Sequence, residues 1–131
     1  MQPTITLPLL WKISTNQIYA GKHWTKRNEH KANYLQAYLN SFKRLGLSFQ
    51  DKIDISICFK FKKNALDADN CSYMCKLLID CMREANIIID DTPKYVGWVS
   101  MMSEKGDDTI DIFLSATSCP QKVAPREGSK L

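Results

Sequence analysis

The fold this 131-residue sequence predicts is α/β, α+β-like in its arrangement: a single domain with two helices packed on one mixed sheet. Three observations predict it. Residues 53–61 (IDISICFKF) alternate apolar and polar side chains with a period of two, as a strand with one buried face does. Two segments, about Asn28–Leu45 and Asp69–Asn86, repeat apolar residues every three to four positions, as amphipathic helices do. The element order β-α-β-α-β-β ends at Gly106–Asp107–Asp108, a turn signal that predicts a C-terminal antiparallel hairpin.

Each element follows in turn. Residues 4–11 (TITLPLLW) read as a short strand, and Pro8 assigns it to a sheet edge because proline cannot donate to a ladder. Residues 12–27 read as an irregular loop that mixes basic and aromatic side chains. In the first helix Tyr34, Leu35, Tyr38, Leu39, Phe42 and Leu45 form the apolar stripe, and Gly46 supplies a stop. The second helix starts at Asp69 or Asn70, either of which is a competent cap. At about 100° per residue, Ser72, Tyr73, Lys76, Asp80, Arg83 and Glu84 share the face of Asp69. Met74, Leu77, Leu78, Cys81, Met82 and Ala85 lie opposite. Ile87–Ile89 is a short apolar run, Asp90–Pro93 a turn, and residues 95–102 and 109–114 are the last two strands. From Ser115 no apolar period remains, so the domain is expected over 1–114 and a disordered tail over 115–131.

Composition narrows the class. No apolar run approaches the roughly 20 residues that span a bilayer, so no membrane contact is expected. The first residues lack a basic, then apolar, leader pattern, and a cytoplasmic setting is expected. Five cysteines, an odd number without a CxxC spacing, do not describe a secreted disulfide scaffold. Cys71 and Cys75 are spaced i, i+4, yet no further cysteine or histidine nearby completes the four ligands of a zinc site. They read as small buried side chains.

Charge is divided along the chain. Residues 1–66 carry +8, residues 67–114 carry −6 and the rest +2, for a net +4. A basic half joined to an acidic half fits a polyanionic partner held near carboxylates, although a solvated acidic surface gives the same count.

The carboxylates are Asp67 and Asp69 in LDADN, Asp80 within the helix, and Asp90–Asp91 after it. Mg²⁺ or Mn²⁺ takes oxygen ligands, often one or two carboxylates with water and phosphate completing the set, and activates water for phosphodiester hydrolysis. Asp67 and Asp69, two apart in extended chain, can point the same way. The structural alternative is a helix cap at Asp69, a turn at Asp90–Asp91 and an i, i+4 surface pair between Lys76 and Asp80. Geometry limits the first reading. A helix from Asn70 to Asn86 is about 25 Å long, and five extended residues from Ile87 recover only about 16 Å. Asp91 therefore approaches Asp80 readily and Asp69 only with tilt or a shorter helix.

Taken in order, these residues resemble the RusA family of phage and prophage Holliday-junction resolvases. The resemblance rests on D-x-D-N at 67–70, on Lys76 and Asp80 four apart, and on the acidic pair Asp90–Asp91. Upstream it rests on Leu7–Pro8 and on Asn16 and Tyr19 in an Asn-x-x-Tyr segment. It covers about residues 5–114. One departure is a three-residue lengthening between Asn70 and Lys76, so that Tyr73 stands at the family's usual lysine distance.

The resemblance implies a metal-dependent, structure-selective endodeoxyribonuclease that resolves four-way DNA junctions by paired symmetric cuts. It implies Asp67, Asp69 and Asp91 as catalytic metal ligands for Mg²⁺ or Mn²⁺, with Asp80 added to the acidic set. Lys76 would stabilise charge at the phosphate, while Asn70 and Asp90 would support the ligands. It implies a homodimer, branched DNA as partner, no small-molecule cofactor, and action in the cytoplasm of a bacterial host. Asn16, Tyr19, Lys22, His23, Lys26, Arg27 and Lys31 are then the expected DNA-binding set, a phosphate-tracking surface with aromatic platforms. A cationic first helical turn opposes the helix dipole, which favours a functional reason for those charges. Trp11 and Trp98 are expected in the core or at the dimer contact. The alternatives are a junction-binding protein that has lost cleavage through the altered spacing, or a protein-interaction module with structural acids.

Overall fold

A computed structural model describes residues 4–16 and 24–117. Strand β1 (Thr4–Pro8) precedes helix α1 (Trp24–Arg44), strand β2 (Ile53–Phe61), a 3₁₀ turn (Ala68–Cys71), helix α2 (Ser72–Glu84), and strands β3 (Val96–Lys105) and β4 (Thr109–Ala116). The four strands form one mixed sheet in the order β1-β4-β2-β3. The expected class, element order and edge position of β1 all hold.

The period of two explains why β2 is central. Ile53, Ile55, Ile57, Phe59 and Phe61 are buried, and their neighbours Ile110, Ile112 and Leu114 on β4 and Ile5 and Leu7 on β1 extend the same apolar face. Both helices cover that face, so Tyr34, Tyr38 and Phe42 of α1 and Met74, Leu78 and Met82 of α2 join a single core. Because β2 and β3 are parallel, the chain must cross over between them, and α2 is the crossover.

The last two strands depart from the expected hairpin. They run antiparallel, but β2 lies between them and pairs with both. Lys105 lies opposite Phe61 on one side of β2, and Thr109 lies opposite Lys60 on the other. Four Cα steps reach about 14 Å, enough to span two strand spacings of about 9.6 Å in total. The connection therefore passes over the end of β2, where Gly106 N–H donates to the Phe61 carbonyl at 2.9 Å. Glycine is required there, since a Cβ would come within 2.6 Å of Lys60 Cβ. Burying the most apolar strand on both edges outweighs a local hairpin, and a turn signal alone does not carry that information.

Element ends also shift. β1 stops at Pro8, α1 begins four residues earlier than expected, and β3 continues to Lys105. β4 runs through Ala116, two residues past the expected end of the ordered domain, because Ser115 and Ala116 pair with Asp54 and Ile53. Residues 118–131, most of the expected tail, lie outside the described residues.

Candidate active site

Helix α2 does not start at Asp69 or Asn70. The chain first makes the 3₁₀ turn Ala68–Cys71, preceded by Asp67 in extended conformation, and enters α2 at Ser72. No side chain of the acidic motif caps either helical segment. The cap comes from far away in sequence. Thr15 Oγ1 accepts the Tyr73 N–H at 3.0 Å, donates to the Asn70 carbonyl at 3.0 Å, and is 2.9 Å from Ser72 Oγ. The preceding turn is fastened to the sheet by Ser103, whose hydroxyl donates to the Leu66 carbonyl. The segment after β1 and strand β3 thus hold the backbone that presents Asp67 and Asp69.

Among the described residues neither carboxylate takes a hydrogen bond or an ion pair, and both residues are exposed. The capping alternative for Asp69 is therefore not what the chain adopts. Asn70 contributes its backbone, its N–H donating to the Asp67 carbonyl at 2.9 Å.

Further along α2 a cleft of about 320 Å³ opens between the helix and edge strand β3. Lys76 and Asp80 line it from the helix, Val99 and Met101 from β3, and Asp91 from the connection between them. Asp80 was expected on an exposed polar stripe, yet it is only 6 % exposed, as is Tyr73. The reason is that α2 is enclosed on two sides, by the sheet and by α1. Lys76 remains exposed, its Nζ 4.0 Å from Asp80 Oδ2, beyond hydrogen-bond length. Arg83 Nη1 stands 3.8 Å from Asp91 Oδ1 and 3.9 Å from Asp90 Oδ1, and Asp90 also accepts the Asp91 N–H at 2.8 Å. Asp90 is thus a turn-former as well as an acid.

These contacts divide the acids into two groups. Asp80 follows Asp69 by eleven residues of continuous helical chain, about 16 Å along the axis, too far for one cation to bridge. Asp91 contacts Arg83 and lines the same cleft as Ser72, Lys76 and Asp80. Asp67 and Asp69 thus precede α2, while Asp80 and Asp91 face the cleft beside it. Among the described residues no three His, Cys, Asp or Glu side chains form a metal-holding group. Cys71 and Cys75 are buried, and burial pushes their thiols up to about 11 and about 12.

The basic segment meets the first group. Asn16 follows Thr15 and is exposed, so it stands at the same helix end as Asp69 and Asn70. His30 Nδ1 is 3.4 Å from Tyr73 Oη, with the rings packed edge to face at 5.9 Å. This contact brings the start of α1 to the start of α2. Lys26 and Arg27 are exposed there, Lys26 pairing with Glu29 at 3.5 Å across open solvent, and Lys31 is half-buried. Tyr19, Lys22 and His23 lie outside the described residues. Trp11 packs partly buried on Tyr34, whereas Trp98 is 57 % exposed on β3 and is no core residue.

Sequence reading missed Thr15 altogether. A lone threonine in a loop gives no sign of which helix it will cap. With the site assembled, neither family models nor curated proteins offered a match to this chain. The fold presents an α/β domain whose crossover helix is preceded by two carboxylates without partners among the described residues, with a cleft along its side that holds Lys76, Asp80 and Asp91.

Proposed function

We propose that the protein is a metal-dependent endodeoxyribonuclease acting on branched DNA, with four-way junctions as its substrate class. The observation that carries the reading is the state of Asp67 and Asp69. Two carboxylates lie on a backbone held by Thr15 and Ser103, yet they do no capping and no ion pairing. Hard oxygen donors fixed in this way fit Mg²⁺ or Mn²⁺, which take one or two carboxylates and complete their shell with water and substrate phosphate. When bound, such an ion supplies a Lewis acid and a more acidic water.

The chain's own groups have definable tasks. Asp67 and Asp69 would hold the cation, with Asn70 keeping the 3₁₀ turn closed through its N–H to Asp67. Lys76, exposed and seven residues on from Asp69, offers an ammonium to charge developing on the phosphate. Asn16, Lys26, Arg27 and Lys31 would hold the DNA backbone beside the acids. We further take the working unit to be a homodimer, since two-fold symmetry in the protein matches paired cuts in a two-fold junction. No helix of the described residues is long and apolar enough to cross a membrane. Four free, buried thiols suit the reducing cytoplasm, where we place the reaction.

The test is cleavage of a synthetic four-way junction with Mg²⁺ or Mn²⁺. Wild-type protein should nick it, and Asp69→Asn should lose cutting at least a hundred-fold while still binding. Equal cutting by the variant would overturn the assignment. A second reading follows because no three potential ligands among the described residues group together: a junction-binding protein without hydrolysis. Salt-sensitive junction binding with no cutting in any divalent ion would select it, and absence of DNA binding would leave an interaction module.

A further inference from the structure

We infer a second phosphate-binding subsite, separate from α1, in the concavity formed by Leu9, Leu10, Lys12, Lys62, Lys63 and Asp108. This inference rests on the nucleic-acid reading above and names where else that substrate is gripped. The concavity is about 380 Å³ and carries three ammonium groups against one carboxylate. Among the described residues none of the three lysines has an ion-pair partner. Asp108 is already engaged, its Oδ1 accepting the Lys62 N–H at 2.9 Å.

The site is held firmly. Leu9 N–H donates to the Asp108 carbonyl at 2.8 Å, Leu10 N–H to Tyr38 Oη at 3.1 Å, and Tyr34 Oη donates to the Trp11 carbonyl at 2.9 Å. Lys12 itself is oriented: Nζ donates to the carbonyls of Lys63 and Asn64, each at 3.1 Å, and lies 6.0 Å from the centre of the Phe61 ring. An ammonium has three donors, so one remains for a ligand. The chain reverses at Asn64 with φ 51, a left-handed conformation that asparagine tolerates better than most residues. Lys62 and Lys63 are exposed around this fixed cation, and Leu10, 54 % exposed, supplies an apolar wall beside it.

Clustered cations with an apolar wall fit a sugar–phosphate backbone, whose charge is regularly spaced and whose sugars are partly apolar. Position adds to chemistry. Lys63 precedes Asp67 by four residues, at most about 14 Å of chain. The subsite therefore flanks the acidic turn, so that a strand held there and by α1 would pass across Asp67 and Asp69.

The experiment is a fluorescence-anisotropy titration of a labelled four-way junction at several salt concentrations, comparing wild type with Lys62→Ala/Lys63→Ala. Both side chains are exposed, and circular dichroism melts verify that the variant is folded. Affinity should fall about ten-fold, and the slope of log K against log[salt] should flatten by about 1–2, the loss expected for one or two phosphate contacts. Lys12→Met should add to the loss. Unchanged affinity and slope, with junction cutting still dependent on Asp69, would overturn the subsite alone. No salt-dependent junction binding by wild type would instead remove the functional reading on which it rests. Lysine-dependent binding of poly-glutamate without binding of DNA would overturn it in favour of an acidic peptide.

Discussion

Thr15 Oγ1 accepts the backbone N–H of Tyr73 at 3.0 Å across 58 residues of sequence, and so caps the helix that the acidic motif introduces. The loop after β1 thereby determines where α2 begins. Asp67 and Asp69 are left outside the helix with their carboxylates unengaged. Thr15→Val, which keeps the shape and removes the oxygen, should destabilise the fold by about 1–2 kcal/mol, the usual worth of an N-cap. Thr15→Ser should restore most of that. Urea denaturation of the three proteins is the check, and an unchanged midpoint in Thr15→Val would show that the cap carries no stability.

Asp69 precedes α2 and Asp91 follows it in the chain, and whether one site takes both from one copy or from two is testable by mixing. Asp69→Asn and Asp91→Asn should each be inactive alone. If each site takes Asp69 from one copy and Asp91 from the other, a mixed dimer keeps one intact site. The mixture should then nick junctions singly without paired resolution. No recovery after subunit exchange, verified by tagged pull-down, would show that the two residues do not complete a site across the dimer.

Asp80 is a buried carboxylate whose one ion-pair partner among the described residues, Lys76, stands at 4.0 Å in solvent. A group taken out of water with so weak a partner adds little to stability, and its removal leaves Lys76 solvated rather than a buried charge unpaired. Asp80→Leu should therefore melt at or above the wild-type temperature while junction cutting falls about ten-fold or more. A clear loss of stability would make Asp80 a structural residue instead.

Asp111 is held below its ordinary range, first by its hydrogen bond from Lys60 at 2.9 Å and further by Thr6. A lowered folded-state value means that the pair stabilises the fold above the unfolded carboxylate value of about 3.9 and loses that contribution as pH falls through the folded value. The difference in melting temperature between wild type and Asp111→Asn should hold steady from pH 7 to about pH 5 and shrink below about pH 4. Because the pair lies near solvent, screening keeps its contribution small. A difference that grew on acidification would contradict the assignment.

How much of this was legible beforehand depends on the range over which each feature is decided. β2 was read in full because side-chain alternation is local, and the same apolar pattern made it the natural centre of the sheet. The amphipathic stripe of α2 was legible too, and so was the approach of Asp91 to Asp80, which share one cleft. Tyr73 and Asp80 were misplaced, since a helical wheel assumes one buried side and α2 has two. The absent hairpin has a similar cause: Gly106–Asp108 announces a turn but not the strand that the turn must clear.

The sequence by itself determined the fold class, the element order, the buried face of β2 and the acidic and basic segments, because each is written in composition or in a short period. Tertiary structure alone decided that β2 separates β3 from β4, that Thr15 caps α2, that Asp80 is buried beside a cleft it shares with Asp91, and that Lys12, Lys62 and Lys63 meet in one concavity. Those outcomes depend on contacts between residues about 50 apart, whose free energy is realised only when the whole core closes.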